Sequence, residues 1–164
     1  MKTTLRILGI GFIMSIGTMF MAQAQSFYTG VGPAISEGVS KVKLPAAANK
    51  YISNYFEGVS IVKADREFMS GSYDVEMADG TELEFNKDGK IIEIDAPDGY
   101  ALSNRTLGSI LPAKAIETLR NLGTDQLVTN VEKTAQGYTA EIAGNDDMEY
   151  QFNNRGEIVS ISYD

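Results

Sequence analysis

An α+β fold, in which two tandem repeats each pack one helix on a four-stranded antiparallel meander, is predicted by three features of this sequence. Leu44-Pro45-Ala46 returns as Leu111-Pro112-Ala113 at an offset of 67 residues, and Phe85-Asn86 with Gly89 returns as Phe152-Asn153 with Gly156 at the same offset. Each copy opens with an apolar series at helical spacing behind a proline. Each then changes to alternating apolar and polar residues punctuated by turn formers, the period-two signature of half-buried strands. The two meanders either join into one continuous sheet or pack as separate lobes, since alternation is the same in both arrangements.

Residues 1–24 have the pattern of a signal peptide: Lys2 and Arg6 precede an apolar run over residues 7–21, followed by the small-x-small Ala22-Gln23-Ala24. Gly9, Gly11, Ser15 and Gly17 dilute that run, which is shorter than the roughly 20 residues a spanning helix needs. Cleavage after Ala24 would leave residues 25–164, with no further apolar stretch of membrane length. The chain has no cysteine, so a lipid-anchored product is not expected, and the mature protein is predicted to be periplasmic or secreted. Residues 25–43 form an N-terminal arm rich in turn formers, in which Phe27 and Tyr28 are expected to dock on the body.

In the first repeat, residues 44–95, apolar positions 44, 48, 51, 52, 55, 56 and 59 follow helical spacing. Pro45 suits the first turn and Gly58 the stop, and Tyr51, Ile52, Tyr55 and Phe56 are expected in the core. The inward set of the strands runs through residues 61–68, then Tyr73, Val75 and Met77, then Leu83 and Phe85, then Ile92 and Ile94. A two-residue type I′ loop at Asp88-Gly89 would oppose Lys87 to Lys90, Phe85 to Ile92 and Leu83 to Ile94. An odd loop from Asp79 to Thr81 would oppose Met77 to Leu83 and Val75 to Phe85, keeping one face apolar.

Residues 96–110 hold Pro97-Asp98-Gly99 and are read as the linker. The second repeat, residues 111–164, starts with a helix over residues 112–122 that turns Ala115, Leu119 and Leu122 inward and stops at Gly123. Its strands contain residues 127–133, then Tyr138, Ala140 and Ile142, then Tyr150 and Phe152, then Val159, Ile161 and Tyr163. The offset slips from 65 at Tyr138 to 67 at Phe152, which places two extra residues in the hairpin loop near Asn145-Asp146-Asp147.

These paired Leu-Pro-Ala helix starts, four-strand meanders and closing Phe-Asn-x-x-Gly hairpins resemble the PepSY-like, beta-lactamase-inhibitor-like proteins secreted by Bacteroidetes. The resemblance covers residues 44–164 and implies an α+β fold with a helix packed on an antiparallel sheet in each repeat. It also implies a role in binding, with no catalytic residues to carry over. The chain departs from the inhibitor in having no cysteines, and the outward sheet positions derived from the register carry no aromatic anchors.

Composition narrows the chemistry. The net charge is −8, and without Lys2 and Arg6 it becomes −10, with 12 basic and 22 acidic residues. Nucleic acid is therefore a poor partner, while a protein or a cation suits the field. The absence of histidine and cysteine excludes Ser-His-Asp triads, Cys-His dyads and metal sites built on those ligands. The predicted register turns Glu76, Glu82, Glu84, Glu93 and Asp95 outward, with Glu76 facing Glu84, Glu84 facing Glu93 and Glu82 facing Asp95. The matching face of the second repeat holds Glu141, Gln151 and Ser160, with Glu149 facing Ser162. Opposed like charges cost up to about 1 kcal/mol per pair, and this acidic face is the candidate site for a basic partner or calcium.

Asn145-Asp146-Asp147 with Glu149 offers oxygens but lacks the ligand spacing and central glycine of an EF-hand loop, and it is read as a hairpin tip. Gly30-Val31-Gly32-Pro33 has no leading strand and no following Lys-Ser/Thr, so it is not a phosphate loop. The leading expectation is an exported, non-enzymatic binding module with no resident cofactor. Its alternatives are a regulator or inhibitor of a secreted enzyme, taking a peptide on the sheet face or an edge strand, and a small carboxylate-dependent hydrolase. The hydrolase would need a pocket in which two acids converge.

Overall fold

Two prolines start the two helices that define the repeats. In a computed structural model, which describes residues 42–144 and 148–163, Pro45 (φ −56°) and Pro112 (φ −60°) cap α1 (Ala46–Tyr55) and α3 (Ala113–Leu122), their fixed φ suiting a helix entry. The expected signal peptide, residues 25–41 of the arm and the Asn145-Asp146-Asp147 tip lie outside the described residues. The strands are β1 (Ile61–Arg66), β2 (Tyr73–Met77), β3 (Glu82–Phe85), β4 (Ile91–Asp95), β5 (Val128–Lys133), β6 (Gly137–Ile142), β7 (Met148–Asn153) and β8 (Ile158–Tyr163). They form one eight-stranded antiparallel sheet in chain order, so the repeats join edge to edge through β4 and β5.

The core is one cluster across both repeats. Ala48 and Ile52 of α1 and their counterparts Ala115 and Leu119 of α3 are fully buried, as the 67-residue offset requires. Facing them from the sheet are Val75, Leu83, Phe85, Ile94, Val131, Ala140 and Phe152. Gly123, at φ +71°, ends α3, and the Thr124 N–H returns to the Leu119 carbonyl at 2.9 Å, a left-handed glycine stop.

The two halves of the repeated signature touch. A Cβ on Gly89 would stand 2.7 Å from Pro45 Cβ and 2.9 Å from the Ala48 nitrogen, and one on Gly156 would stand 2.7 Å from the Ala115 nitrogen and 3.1 Å from Pro112 Cβ. The closing hairpin of each repeat thus packs against the start of its own helix, where a side chain has no room. Asn86 and Asn153 hold those hairpins from within. The Asn86 Oδ1 accepts from the Asp88 and Lys90 amides at 2.9 and 3.0 Å, and the Asn153 Oδ1 accepts from Arg155 and Glu157 at 2.9 and 3.1 Å.

Those hairpins correct the predicted register. The Asn86 amide donates to Lys90 and the Gly89 amide to Asn86, so the loop has three residues, Lys87, Asp88 and Gly89, with Gly89 at φ +78°. This is a type I turn followed by a left-handed glycine rather than a two-residue type I′ turn. Phe85 accordingly pairs with Ile91, and a bulge at Ile92 restores Glu84 opposite Glu93 and Leu83 opposite Ile94. Phe152 and Ile158 repeat the arrangement. The β2–β3 loop is Ala78, Asp79 and Gly80, closed by the Met77 amide donating to Thr81. Val75 therefore opposes Leu83 and Tyr73 opposes Phe85, two residues from the expected register but on the same face.

The stretch read as the linker contains α2 (Asn104–Ile110), in which Leu107 is fully buried and Ile110 nearly so. The Ser103 hydroxyl accepts from the Thr106 amide at 3.1 Å to cap it. It contacts α1, α3 and β5, closing the gap between the repeat helices. The Tyr51 hydroxyl is hydrogen-bonded to Ser109 of α2, and burial pushes its pKa to about 12. Arg105 of α2 also lies 5.8 Å over the Tyr55 ring, whereas Leu122, the counterpart of Tyr55, has no such cover and is half exposed. Three other residues expected inside, Val159, Ile161 and Tyr163, are exposed, and of the edge strand β8 only Ile158 packs against the core. Phe68, also expected inside, lies beyond the end of β1 and is 99% exposed.

Candidate functional site: an acidic sheet face

With the helices on one face, alternation leaves the other face to polar side chains, and the observed register arranges these in two rows across the strands. One row reads Asp65, Asp74, Glu84, Glu93 and Glu132, then Thr139, Gln151 and Ser160. The other reads Lys63, Glu76, Glu82, Asp95, Asn130, Glu141, Glu149 and Ser162. The first therefore carries carboxylates on five successive strands, spaced by the strand separation of about 4.8 Å. Between the rows in the first repeat lies an open groove of about 200 Å³, lined by Lys63, Asp65, Asp74, Glu76, Glu84 and Asp95 among others.

All five residues singled out from the sequence, Glu76, Glu82, Glu84, Glu93 and Asp95, line this groove. Glu84 opposes Glu93 and Glu82 opposes Asp95 as predicted, whereas Glu76 opposes Glu82 and Glu84 opposes Asp74. The sequence reading missed Asp65, Asp74 and Glu132. Asp65 and Asp74 alternate with the buried Ala64, Tyr73 and Val75, so carrying the alternation into β1 and β2 would have found them. The place of Glu132 beside Glu93 depends on the β4–β5 pairing, for which the linker sequence holds no signal.

The carboxylates perturb one another. Burial pushes Asp95 up to about 6, reinforced by Glu93, Glu82 and Glu141. Glu84 is also raised by burial, with Asp74, Glu93 and Glu132 adding to the shift and Ser72 opposing it. Burial and then Glu67 and Asp65 raise Asp74, while burial and then Glu93 and Glu149 raise Glu132. Relief is local: Asn130 donates to Glu93 at 2.8 Å, Gln151 donates to Glu149 at 2.8 Å, and Lys63 pairs with Asp65 at 3.1 Å. The acids are laid out in lines, and among the described residues no three side chains converge as ligands for a metal ion.

The family described as "Putative beta-lactamase-inhibitor-like, PepSY-like" matches the chain twice, over residues 35–93 and 71–160. Among curated proteins none matches. Similar solved structures include one described as a putative periplasmic protein of unknown function from Bacteroides vulgatus. It is 27% identical, with a TM-score of 0.60 over 73% of this chain and 92% of that one. One described as a putative calcium-regulated periplasmic protein from Bacteroides thetaiotaomicron is 20% identical, with a TM-score of 0.61 over 73% and 91%. Another putative periplasmic protein from Bacteroides vulgatus is 20% identical, with a TM-score of 0.57 over 73% and 90%. No described helix is long and apolar enough to cross a membrane. The two family matches together span residues 35–160 of 164 and take in both Pro-started helices and both Asn-held hairpins, so the chain belongs to the PepSY-like, beta-lactamase-inhibitor-like family.

Proposed function

We propose that this chain is an exported, non-enzymatic binding module whose acidic sheet face receives a cationic partner. The observation that carries the reading is the row Asp65, Asp74, Glu84, Glu93 and Glu132, in which each carboxylate faces another across the next strand. Such opposition disfavours the free protein, and a bound polycation relieves it. The row continues through the junction of the repeats, so the face is a product of the whole sheet. A line of charges at strand spacing matches the lysines and arginines of an extended protein segment better than one compact ion. A secreted enzyme with such a segment fits this chemistry, which makes the protein its regulator. Export is supported by the leader pattern of residues 1–24 and by the periplasmic description of similar structures.

Calcium is the second reading, favoured by the calcium-regulated description of a similar protein that shares the fold. Titration calorimetry at low salt, with a lysine–glycine repeat peptide and separately with calcium chloride, tests both on the wild type and on a Glu84→Gln, Glu93→Gln, Glu132→Gln variant. The expected result is peptide binding that weakens steeply with salt and is lost in the variant. Heat from calcium alone, lost in the same variant, would replace the polycation with the metal. Peptide affinity equal in both proteins would refute the role of the row.

A further inference from the structure

The loop joining β1 to β2 presents Phe68 and Met69 at 99% and 92% exposure. Neither side chain holds the loop in place. The Glu67 amide donates to the Ser72 carbonyl at 3.0 Å, the Gly71 amide returns to the Glu67 carbonyl at 3.0 Å, and Gly71 takes the left-handed φ of +71°. The Ser70 and Ser72 hydroxyls bond to each other at 2.7 Å, and the Arg66 guanidinium lies 5.4 Å over the Tyr73 ring at the base. A hairpin tip fastened by its backbone thus holds two adjacent large apolar side chains in water. Isolated exposed apolar residues are ordinary, but such a pair on an ordered tip has the form of an interface anchor, presented at little entropic cost on binding.

The tip also stands beside the acidic face. Asp65 and Asp74, the first opposed pair of the row, lie on the two strands the loop connects, and Glu67 belongs to the loop itself. Phe68 is three residues beyond Asp65, in the turn that follows β1, so the chain separates them by at most about 10 Å. We infer that Phe68 and Met69 are the apolar anchor for the same partner that the acidic face receives, and that this partner is a basic polypeptide segment carrying apolar side chains beside its cations. The inference rests on the binding reading of the face and adds the second half of its specificity. Asp65, Glu67 and Asp74 outnumber Arg66 beside the tip and argue against an anionic lipid surface, and the chain's net charge of −8 argues against a second copy.

The test compares two peptides by fluorescence anisotropy: a lysine–glycine repeat, and the same peptide with its terminal glycines replaced by leucine. Proteins are the wild type, a Phe68→Ser, Met69→Ser variant and a Phe68→Leu, Met69→Leu variant, with thermal melts confirming that the exposed substitutions leave folding unchanged. Wild type should bind the leucine peptide roughly tenfold more tightly, the effect of burying one aliphatic side chain. That factor should vanish in the serine variant and return in the leucine variant, while the lysine–glycine peptide binds all three alike. Equal affinity of wild type for both peptides overturns this inference and leaves the acidic-face reading standing. Binding of neither overturns both. Phe68-dependent partition onto phosphatidylcholine vesicles, without any leucine preference, overturns it in favour of a membrane anchor.

Discussion

Asp95 offers the sharpest test of the electrostatics. Its carboxyl is raised from 3.8 to about 6 by burial first and by Glu93, Glu82 and Glu141 after it. Folding therefore disfavours the ionised form. A carboxyl that binds protons more tightly folded than unfolded stabilises the fold fully below pH 4, and that contribution is lost as the pH rises through about 6. At about 1.36 kcal/mol per tenfold change in proton affinity the ceiling is near 3 kcal/mol. The Asp95 residue stands on the solvent face of the sheet with its carboxyl only partly shielded by its neighbours, so solvent screening reduces the expected effect to about 1 kcal/mol. Asp95→Asn removes the charge and keeps the size. In urea unfolding the variant should exceed the wild type by about 1 kcal/mol at pH 8, lose half of that margin near about pH 5, and match the wild type at about pH 3.5. A variant no more stable than the wild type at pH 8 would refute the reasoning, and would mean that Glu93, Glu82 and Glu141 do not repel Asp95 enough to weaken the fold.

Two further substitutions test the packing. Gly89→Ala meets Pro45 and Ala48 below 3.0 Å at φ +78°, whereas Gly58→Ala meets nothing within 4 Å at φ +82°. The first should cost about 2–4 kcal/mol by strain plus overpacking and the second only about 1 kcal/mol, and equal losses in chemical denaturation would show that the helix–hairpin contact is not tight. Tyr51→Phe should cost about 1 kcal/mol by removing the hydroxyl's bond to Ser109. In a spectrophotometric titration the wild type should show one tyrosine ionising near pH 12, with the linked stability present below pH 10 and lost as the pH rises through 12. If that late step persists in Tyr51→Phe, another tyrosine is responsible.

The face of the sheet was legible well before its register. Asp88-Gly89 and Asp79-Gly80 mark turns in the sequence, yet both loops are a residue longer than, or displaced from, the shortest turn that fits the dipeptide. Glu84 stands opposite Glu93, as the sequence predicts, because a bulge at Ile92 offsets the longer loop. Two deviations cancel there, and no local pattern announces either. Leu122 and Phe68 show the converse. An apolar residue is expected inside wherever its period points inward, but burial also needs neighbours to cover it, and Leu122 stays half exposed and Phe68 almost wholly so.

Sequence alone determined the repeat, the two Pro-started helices, the strand alternation and hence which carboxylates share the outer face. These follow from periods and turn chemistry carried by neighbouring residues. Only the tertiary structure decided that β4 pairs with β5, that α2 fills the seam between the repeat helices, and that Glu132 extends the acidic row beyond Glu93. It alone also placed Phe68 and Met69 in water at the head of that row. Each depends on contacts between residues distant in the chain, whose partners are chosen by the packing of the whole sheet and by no signal within the segment itself.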